Sequence, residues 1–206
     1  MKAQWYIVYM QYETKKFNIP ALEGISAKSI EEHLGLYAGY VKNCNAISAL
    51  MPELAKDLEK NSLPLSELIR RRSFEFDGMR LHELYFAQFE GSATSINPGS
   101  ALAQQFIKEY HGLENAIEFM KVIAGMRGPG WALLYWDQEA KQFLAGFVGE
   151  QHQGHFATLP IILALDVWEH AFLLDYGALG KAKYIDAFFK NLNWSVIQKR
   201  FDDIAK

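Results

Sequence analysis

The sequence predicts an α+β protein: an N-terminal α-helical hairpin domain, residues 1–94, followed by a C-terminal α/β domain, residues 95–206, with a small three-stranded antiparallel sheet. Three observations carry this expectation. Apolar residues recur at helical spacing in the first part of the chain. Short apolar runs bounded by turn residues follow from residue 132 onward. Between them, Gly91-Ser-Ala-Thr-Ser-Ile-Asn-Pro-Gly99 is the best linker in the chain, because seven of its nine residues are Gly, Pro, Ser, Thr or Asn, the residue types that cluster in loops.

Each element has its own signal. Ser29-Ile-Glu-Glu32 reads as a capping box, and Ile30, Leu34, Tyr37, Val41 and Cys44 share one helical face, predicting a helix over 29–47. A second helix is expected over 63–90, with a break near Phe74 to Gly78. Beyond the linker, residues 100–110 and 113–126 read as helices around His111-Gly112. Ala132 to Trp136 and Phe143 to Val148, joined by Asp137-Gln-Glu-Ala-Lys141, read as an antiparallel hairpin. Pro160 to Leu165 is apolar without interruption and reads as a buried third strand, from which the chain is expected to enter a helix through Asp166.

Half of the 206 residues are apolar and 22% are charged, which suits a soluble globular protein with ample core. No run reaches the ~20 apolar residues of a membrane span. The N-terminus, MKAQWYIVYMQYETKK, lacks a small-residue cleavage site, so the expected location is cytoplasmic and no membrane partner is expected. A net charge of −3 argues against a nucleic-acid surface. It would also disfavour an anionic substrate, unless local charge outweighs it. Cys44 is the single cysteine, which excludes an internal disulfide and any site built on several thiolates, and leaves it as a small buried apolar side chain.

The most informative stretch is Asp166-Val-Trp-Glu-His170, followed by Ala-Phe-Leu-Leu-Asp-Tyr176, then Tyr184-Ile-Asp-Ala-Phe-Phe and Asn193-Trp194. On a helix, four residues turn about 400°, so a carboxylate and an imidazole at this spacing would leave one face within reach of a single ion. The string resembles the C-terminal signature of the iron/manganese superoxide dismutases, where the Asp and His of D-x-W-E-H are two of four metal ligands. The resemblance continues upstream. His33, followed by Gly39-Tyr-Val-Lys-Asn-Cys-Asn45, is similar to the family's first ligand helix, and Asp77-Gly-Met-Arg-Leu-His82 to its second. Gly128-Pro-Gly-Trp131 resembles the turn whose Trp packs beside the metal. In Glu150-Gln-His-Gln-Gly-His155, Gln151 stands where the family places the side chain that hydrogen-bonds metal-bound solvent. His152 and His155 are the alternatives for that role.

The resemblance therefore implies an enzyme that disproportionates superoxide to oxygen and hydrogen peroxide, with His33, His82, Asp166 and His170 as ligands of iron or manganese. Imidazole and carboxylate suit these ions in both oxidation states, whereas thiolates favour softer ions. One anionic ligand leaves the same positive charge on an oxidised ion with hydroxide and a reduced ion with water, so each electron arrives with a proton. The iron-type pattern carries its tuning Gln four residues before the second ligand; that position is Gly78 here, and the late Gln151 follows the manganese type, so manganese is preferred.

Several positions depart from the family pattern. Tyr40 lies seven residues after His33, about 700° and close to two turns, which keeps it on the ligand's face as the gateway phenol. Tyr37, four residues from His33, is the alternative. The usual intermediate His is replaced by Leu36 or Tyr37, and the Tyr usually three residues after the last ligand by Leu173. Lys181 stands where the family has an Arg at the entrance. Glu169 is expected to reach His170 of a second subunit, implying a homodimer. The competing readings are a non-haem metal redox protein acting on another substrate and a metal-free scaffold that reuses the fold.

Overall fold

The computed structural model describes residues 11–205. Two long antiparallel helices, α1 (Ala27–Leu54) and α2 (Leu58–Ala87), form the hairpin. They are followed by α3 (Ala101–Tyr110), α4 (Leu113–Ala124), the strands β1 (Gly130–Asp137), β2 (Gln142–Gly149) and β3 (Ile161–Asp166), a 3₁₀ turn over Glu169–Ala171, and α5 (Leu173–Tyr176), α6 (Lys181–Lys190) and α7 (Trp194–Ile204). The expected class is the one observed. All three strands are antiparallel in the order β2-β1-β3, and residues 91–99 run irregularly from α2 towards α3.

The first helix forms because Ile30, Tyr37, Val41, Cys44 and Ile47 are buried along one stripe at three- and four-residue spacing. Its cap differs from the expectation. Ser26, and not Ser29, is the N-cap; its Oγ accepts from Ser29 N at 3.0 Å, and its own N–H donates to Asp175 at 2.9 Å. In a capping box a Glu at the third position would satisfy that N–H. A carboxylate from α5 does so instead, a contact no local pattern announces. The second helix starts at Leu58 instead of 63, because Asp57 caps it by accepting from Lys60 N, and it continues through Phe74 to Gly78 without a break.

The expectation of a helix from Asp166 through His170 is overturned. Asp166 pairs with Trp131 as the last residue of β3, Trp168 is extended at φ −66° and ψ 153°, and His170 lies in the 3₁₀ turn. The apolar run before Asp166 is committed to the sheet, and the strand continues to its last paired residue. Asp166 Oδ1 then accepts from Trp168 N at 2.8 Å, an Asp turn that bends the chain out of the sheet.

Hairpin and sheet share one core. Tyr37, Met79, Tyr85 and Phe86 from the helices pack in the same buried cluster as Trp131, Leu133, Leu163 and Leu165 from the sheet. A buried amide joins α2 to β3 directly: Gln88 Nε2 donates to the Ala164 carbonyl at 2.8 Å and its Oε1 accepts from Ala164 N at 2.9 Å. Arg200 of α7 adds its guanidinium to the Ile162 and Leu84 carbonyls at 2.8 and 3.1 Å. These bonds set the separation between the second helix and the third strand, and hence between His82 and Asp166. Cys44 is buried, as expected. No described helix is long and apolar enough to cross a membrane, and the part of the N-terminal reading that concerns residues 1–10 lies outside the described residues.

Candidate metal centre

Four side chains from four elements converge: His33 from α1, His82 from α2, Asp166 from the end of β3 and His170 from the 3₁₀ turn. One donor atom from each lies within 4.8 Å of all the others. Asp166 Oδ2 is 3.2 Å from Nε2 of His33, 3.2 Å from Nε2 of His170 and 3.6 Å from Nε2 of His82. Asp166 and His170 thus meet across a strand-to-turn corner, not along a helix face.

The hydrogen bonding around the cluster leaves one ring nitrogen, an acceptor, without a partner. His82 Nδ1 lies 2.6 Å from the Gly78 carbonyl; a carbonyl only accepts, so Nδ1 carries the proton and Nε2 presents a lone pair. That Nε2 is buried and makes no hydrogen bond. Burial of such an atom is costly unless something binds it, and an ion shared with Asp166, His33 and His170 would satisfy it. The donor set of three imidazoles and a carboxylate suits iron or manganese.

Electrostatics keep two of the imidazoles, His33 and His82, neutral and ready to bind. Burial, then the neighbouring His33, pushes His82 down to about 3, and burial likewise lowers His33 against the pull of Asp166. Burial would lower His170 too, but the charge and hydrogen bond of Asp166 prevail and raise it. Burial would raise Asp166; its imidazole neighbours, His170 foremost, hold it far below the usual carboxylate range. For the metal-free chain the His82 shift has a definite sign. The unfolded imidazole takes a proton near pH ~6.5, and the folded one only near 3. The stability contributed by His82 is therefore present above pH ~6.5 and lost progressively as pH falls towards 3. Thermal melts of the metal-free protein between pH 7 and 4 are expected to show this decline, and His82→Gln, which cannot titrate, is expected to flatten it; equal slopes for both proteins would contradict the assignment.

Around the cluster, Gln151 is fully buried and not an exposed loop amide. Its Oε1 accepts from Trp131 Nε1 at 2.7 Å, and its Nε2 donates to the Tyr40 hydroxyl at 2.9 Å. The Tyr40 and Trp131 rings lie 5.0 and 5.1 Å from the His82 ring. Tyr40, pushed up to about 12 chiefly by burial, keeps its proton, and because it accepts from Gln151 its own O–H is free to donate elsewhere. Tyr37 points differently: its hydroxyl bonds Glu83 at 3.2 Å and accepts from Lys15 N at 3.0 Å. His155 bonds the Gln151 backbone, and His152 lies against Phe74 and Glu150; neither joins the four-residue cluster. The Lys181 ammonium donates to the Met126 carbonyl at 2.7 Å. Leu36 and Leu173 are exposed, as is Glu169.

Gly78 has a steric reason here. A Cβ added to it would stand 2.6 Å from Tyr40 Cδ1 and 2.7 Å from Cε1, so the phenol ring occupies the space of any side chain at 78. Gly78→Ala is expected to displace Tyr40 from Gln151 and to destabilise the protein by about 1–3 kcal/mol, the usual range for overpacking; a denaturant titration matching the wild type would show that the ring yields freely.

Sequence reasoning did not find the buried pair Tyr85 and Tyr184. The Tyr184 hydroxyl donates to the Asp166 carbonyl at 2.9 Å and lies 3.1 Å from that of Tyr85, whose ring packs 4.9 Å from His33. The spacing of Tyr85, three residues after His82 on one helix, was the available signal.

The fold and site define a class: a helical hairpin joined to a small α/β unit, with a buried cluster of three imidazoles and one carboxylate fitted to a single transition-metal ion. The family signature described as iron/manganese superoxide dismutases, C-terminal domain, matches residues 98–200. The chain is 30% identical over 203 residues to an iron superoxide dismutase of Saccharolobus solfataricus, covering 93% of this chain and 96% of that one. It is 34% identical to an iron superoxide dismutase of Cupriavidus metallidurans, covering 93% and 97%. A manganese superoxide dismutase of Halobacterium salinarum is 34% identical over 62% of each chain. The chain belongs to the iron/manganese superoxide dismutase family.

Proposed function

We propose that the protein disproportionates superoxide to oxygen and hydrogen peroxide at one iron or manganese ion held by His33, His82, Asp166 and His170. The observation that carries this reading is the buried, unpartnered Nε2 of His82 facing the Asp166 carboxylate amid two further imidazoles. Such an ion supplies an electron store that one superoxide fills and the next empties. The remaining work falls to the protein. Asp166 offsets part of the ion's charge while leaving the centre attractive to a small anion, whatever the net charge of the chain. Tyr40 and Gln151 order the protons that peroxide formation requires, with the Tyr40 O–H free to donate and Trp131 fixing the amide. Metal analysis of the purified protein alongside a superoxide assay, repeated after chelation, tests the reading. Stoichiometric iron or manganese with activity lost on chelation supports it; a metal-loaded protein inert towards superoxide refutes it.

The ion's identity belongs to the same proposal. Gly78 together with Gln151 follows the manganese-type pattern, which favours manganese, although the relatives from Saccharolobus solfataricus and Cupriavidus metallidurans, matched over more than nine-tenths of both chains, are named for iron. Reconstitution of the metal-free protein with each ion in turn decides between them.

The proposal includes a homodimer formed through Glu169 and His170. Glu169 is exposed in the single chain, and the His170 side chain is 23% exposed, against at most 1% for the other three cluster residues. A partner's carboxylate arriving there would orient the imidazole. Sedimentation is expected to give a dimer at micromolar concentration and a shift towards monomer for Glu169→Ala; a monomeric wild type would exclude the arrangement. A cytoplasmic location completes this reading and is checked by cell fractionation.

A further inference from the structure

Gln151 sits in a turn between β2 and β3 that is closed by paired backbone bonds between Gly149 and Gln153, and the preceding Glu150 adopts a left-handed φ of 54°. The amide is fixed between Trp131 and Tyr40. The side chain that bonds the backbone of Gln151 itself is His155. Its Nε2 lies 3.1 Å from the Gln151 carbonyl oxygen and its Nδ1 2.8 Å from the Tyr135 hydroxyl. A carbonyl only accepts, so Nε2 carries the proton; Nδ1 is then the acceptor, and the Tyr135 O–H donates to it.

Trp131 and Tyr135 are four residues apart on β1 and share one face of the strand. One strand thus grips Gln151 twice: the indole of Trp131 holds the side-chain oxygen, and the hydroxyl of Tyr135 holds the backbone oxygen through His155. Asp77 of α2, with Oδ2 4.0 Å from His155 Nε2, is the acidic neighbour on the helical side.

We propose that His155 is a positioning residue for Gln151, passing the placement of β1 to the Gln151 backbone and so setting where the amide stands between Trp131 and Tyr40. The proposal rests on the role given above to Gln151, but its principal test needs neither metal nor activity. The Trp131 indole N–H donates to Gln151 Oε1, so its proton signal in nuclear magnetic resonance spectra of the metal-free protein reports the amide's position; the signal is assigned as the indole that moves in Gln151→Ala. Two replacements separate the bonds of His155. In His155→Gln the amide nitrogen matches Nε2 and keeps the bond to the Gln151 carbonyl. In His155→Asn the side chain reaches only the level of Nδ1 and loses it. The Trp131 signal is expected to shift towards its Gln151→Ala position for His155→Asn, and less far for His155→Gln, which keeps the bond to the Gln151 carbonyl but gives up the acceptor for Tyr135. With metal bound at unchanged stoichiometry, His155→Asn is expected to lose about 10-fold in dismutation, at the lower end for outer partners, and to add nothing in a Gln151→Ala background. Tyr135→Phe, which loosens the far end of the same chain, is expected to move the indole signal in the same direction and serves should the Asn variant fail to fold. An unmoved indole signal in His155→Asn, or in Tyr135→Phe where it substitutes, overturns the proposal, as does a further loss of activity in the double variant. A Gln151→Ala enzyme of full activity would instead overturn the role of Gln151 and leave the indole result to decide the placement.

Discussion

Asp166→Ala is expected to abolish both metal retention and dismutation. The carboxylate is the only anion of the cluster, and its Oδ2 lies within 3.6 Å of all three imidazole nitrogens. In the proposed centre its removal would take away the charge that balances a cation among three imidazoles, so the loss should exceed the roughly 10- to 100-fold that outer partners typically cost. The damage extends to the backbone, because Oδ1 accepts from Trp168 N and shapes the corner that delivers His170. That N–H is half-buried, so leaving it without the carboxylate costs at most the roughly 1–3 kcal/mol of a fully buried unsatisfied group. Metal content by elemental analysis and a thermal melt of the metal-free variant check both parts. A variant that keeps stoichiometric metal would remove Asp166 from the ligand set.

Gln151→Ala is expected to behave oppositely: metal stays bound and superoxide turnover falls at least ~10-fold, since the amide is no donor to the ion but orders what surrounds it. The structure adds a reason to the sequence argument. The substitution frees Trp131 Nε1, which is buried and loses its acceptor, and takes the hydrogen bond away from the Tyr40 hydroxyl, so two proton-ordering contacts vanish with one side chain. Truncation to Ala also leaves room for water. Paired measurements of metal content and dismutation for Asp166→Ala and Gln151→Ala separate holding the ion from tuning it, and full activity in Gln151→Ala would move the tuning role to another group.

Much of the fold was legible in the sequence. The helical stripe of Ile30, Tyr37, Val41 and Cys44 and the uninterrupted apolar run before Asp166 reflect burial that any arrangement of these segments must satisfy, and periodicity records burial directly. Helix ends were less legible. Ser26 and Ser29 are both credible caps by local rules, and the choice between them falls to Asp175, which lies 149 residues away along the chain.

The candidate site divides in the same way. Residue types and their spacing in D-x-W-E-H, with His33 and His82 upstream, pointed through the family resemblance to four side chains to watch and to Gln151, with His152 and His155 as alternatives beside it, because a single ion needs a particular set of donors and the chain must carry them. Only the tertiary structure decided how they meet. Asp166 and His170 converge through a strand end and a 3₁₀ turn, Tyr40 takes the place beside Gln151 while Tyr37 turns to Glu83, and Gly78 stays bare because the Tyr40 ring fills its space. His155 holds a backbone oxygen and not the ion, a distinction invisible in a string where Gln151, His152 and His155 look interchangeable. The physical reason is common to all of these. Chemistry is written residue by residue, but which neighbour satisfies a hydrogen bond or fills a space depends on segments that come together only when α1, α2 and the sheet close on one core.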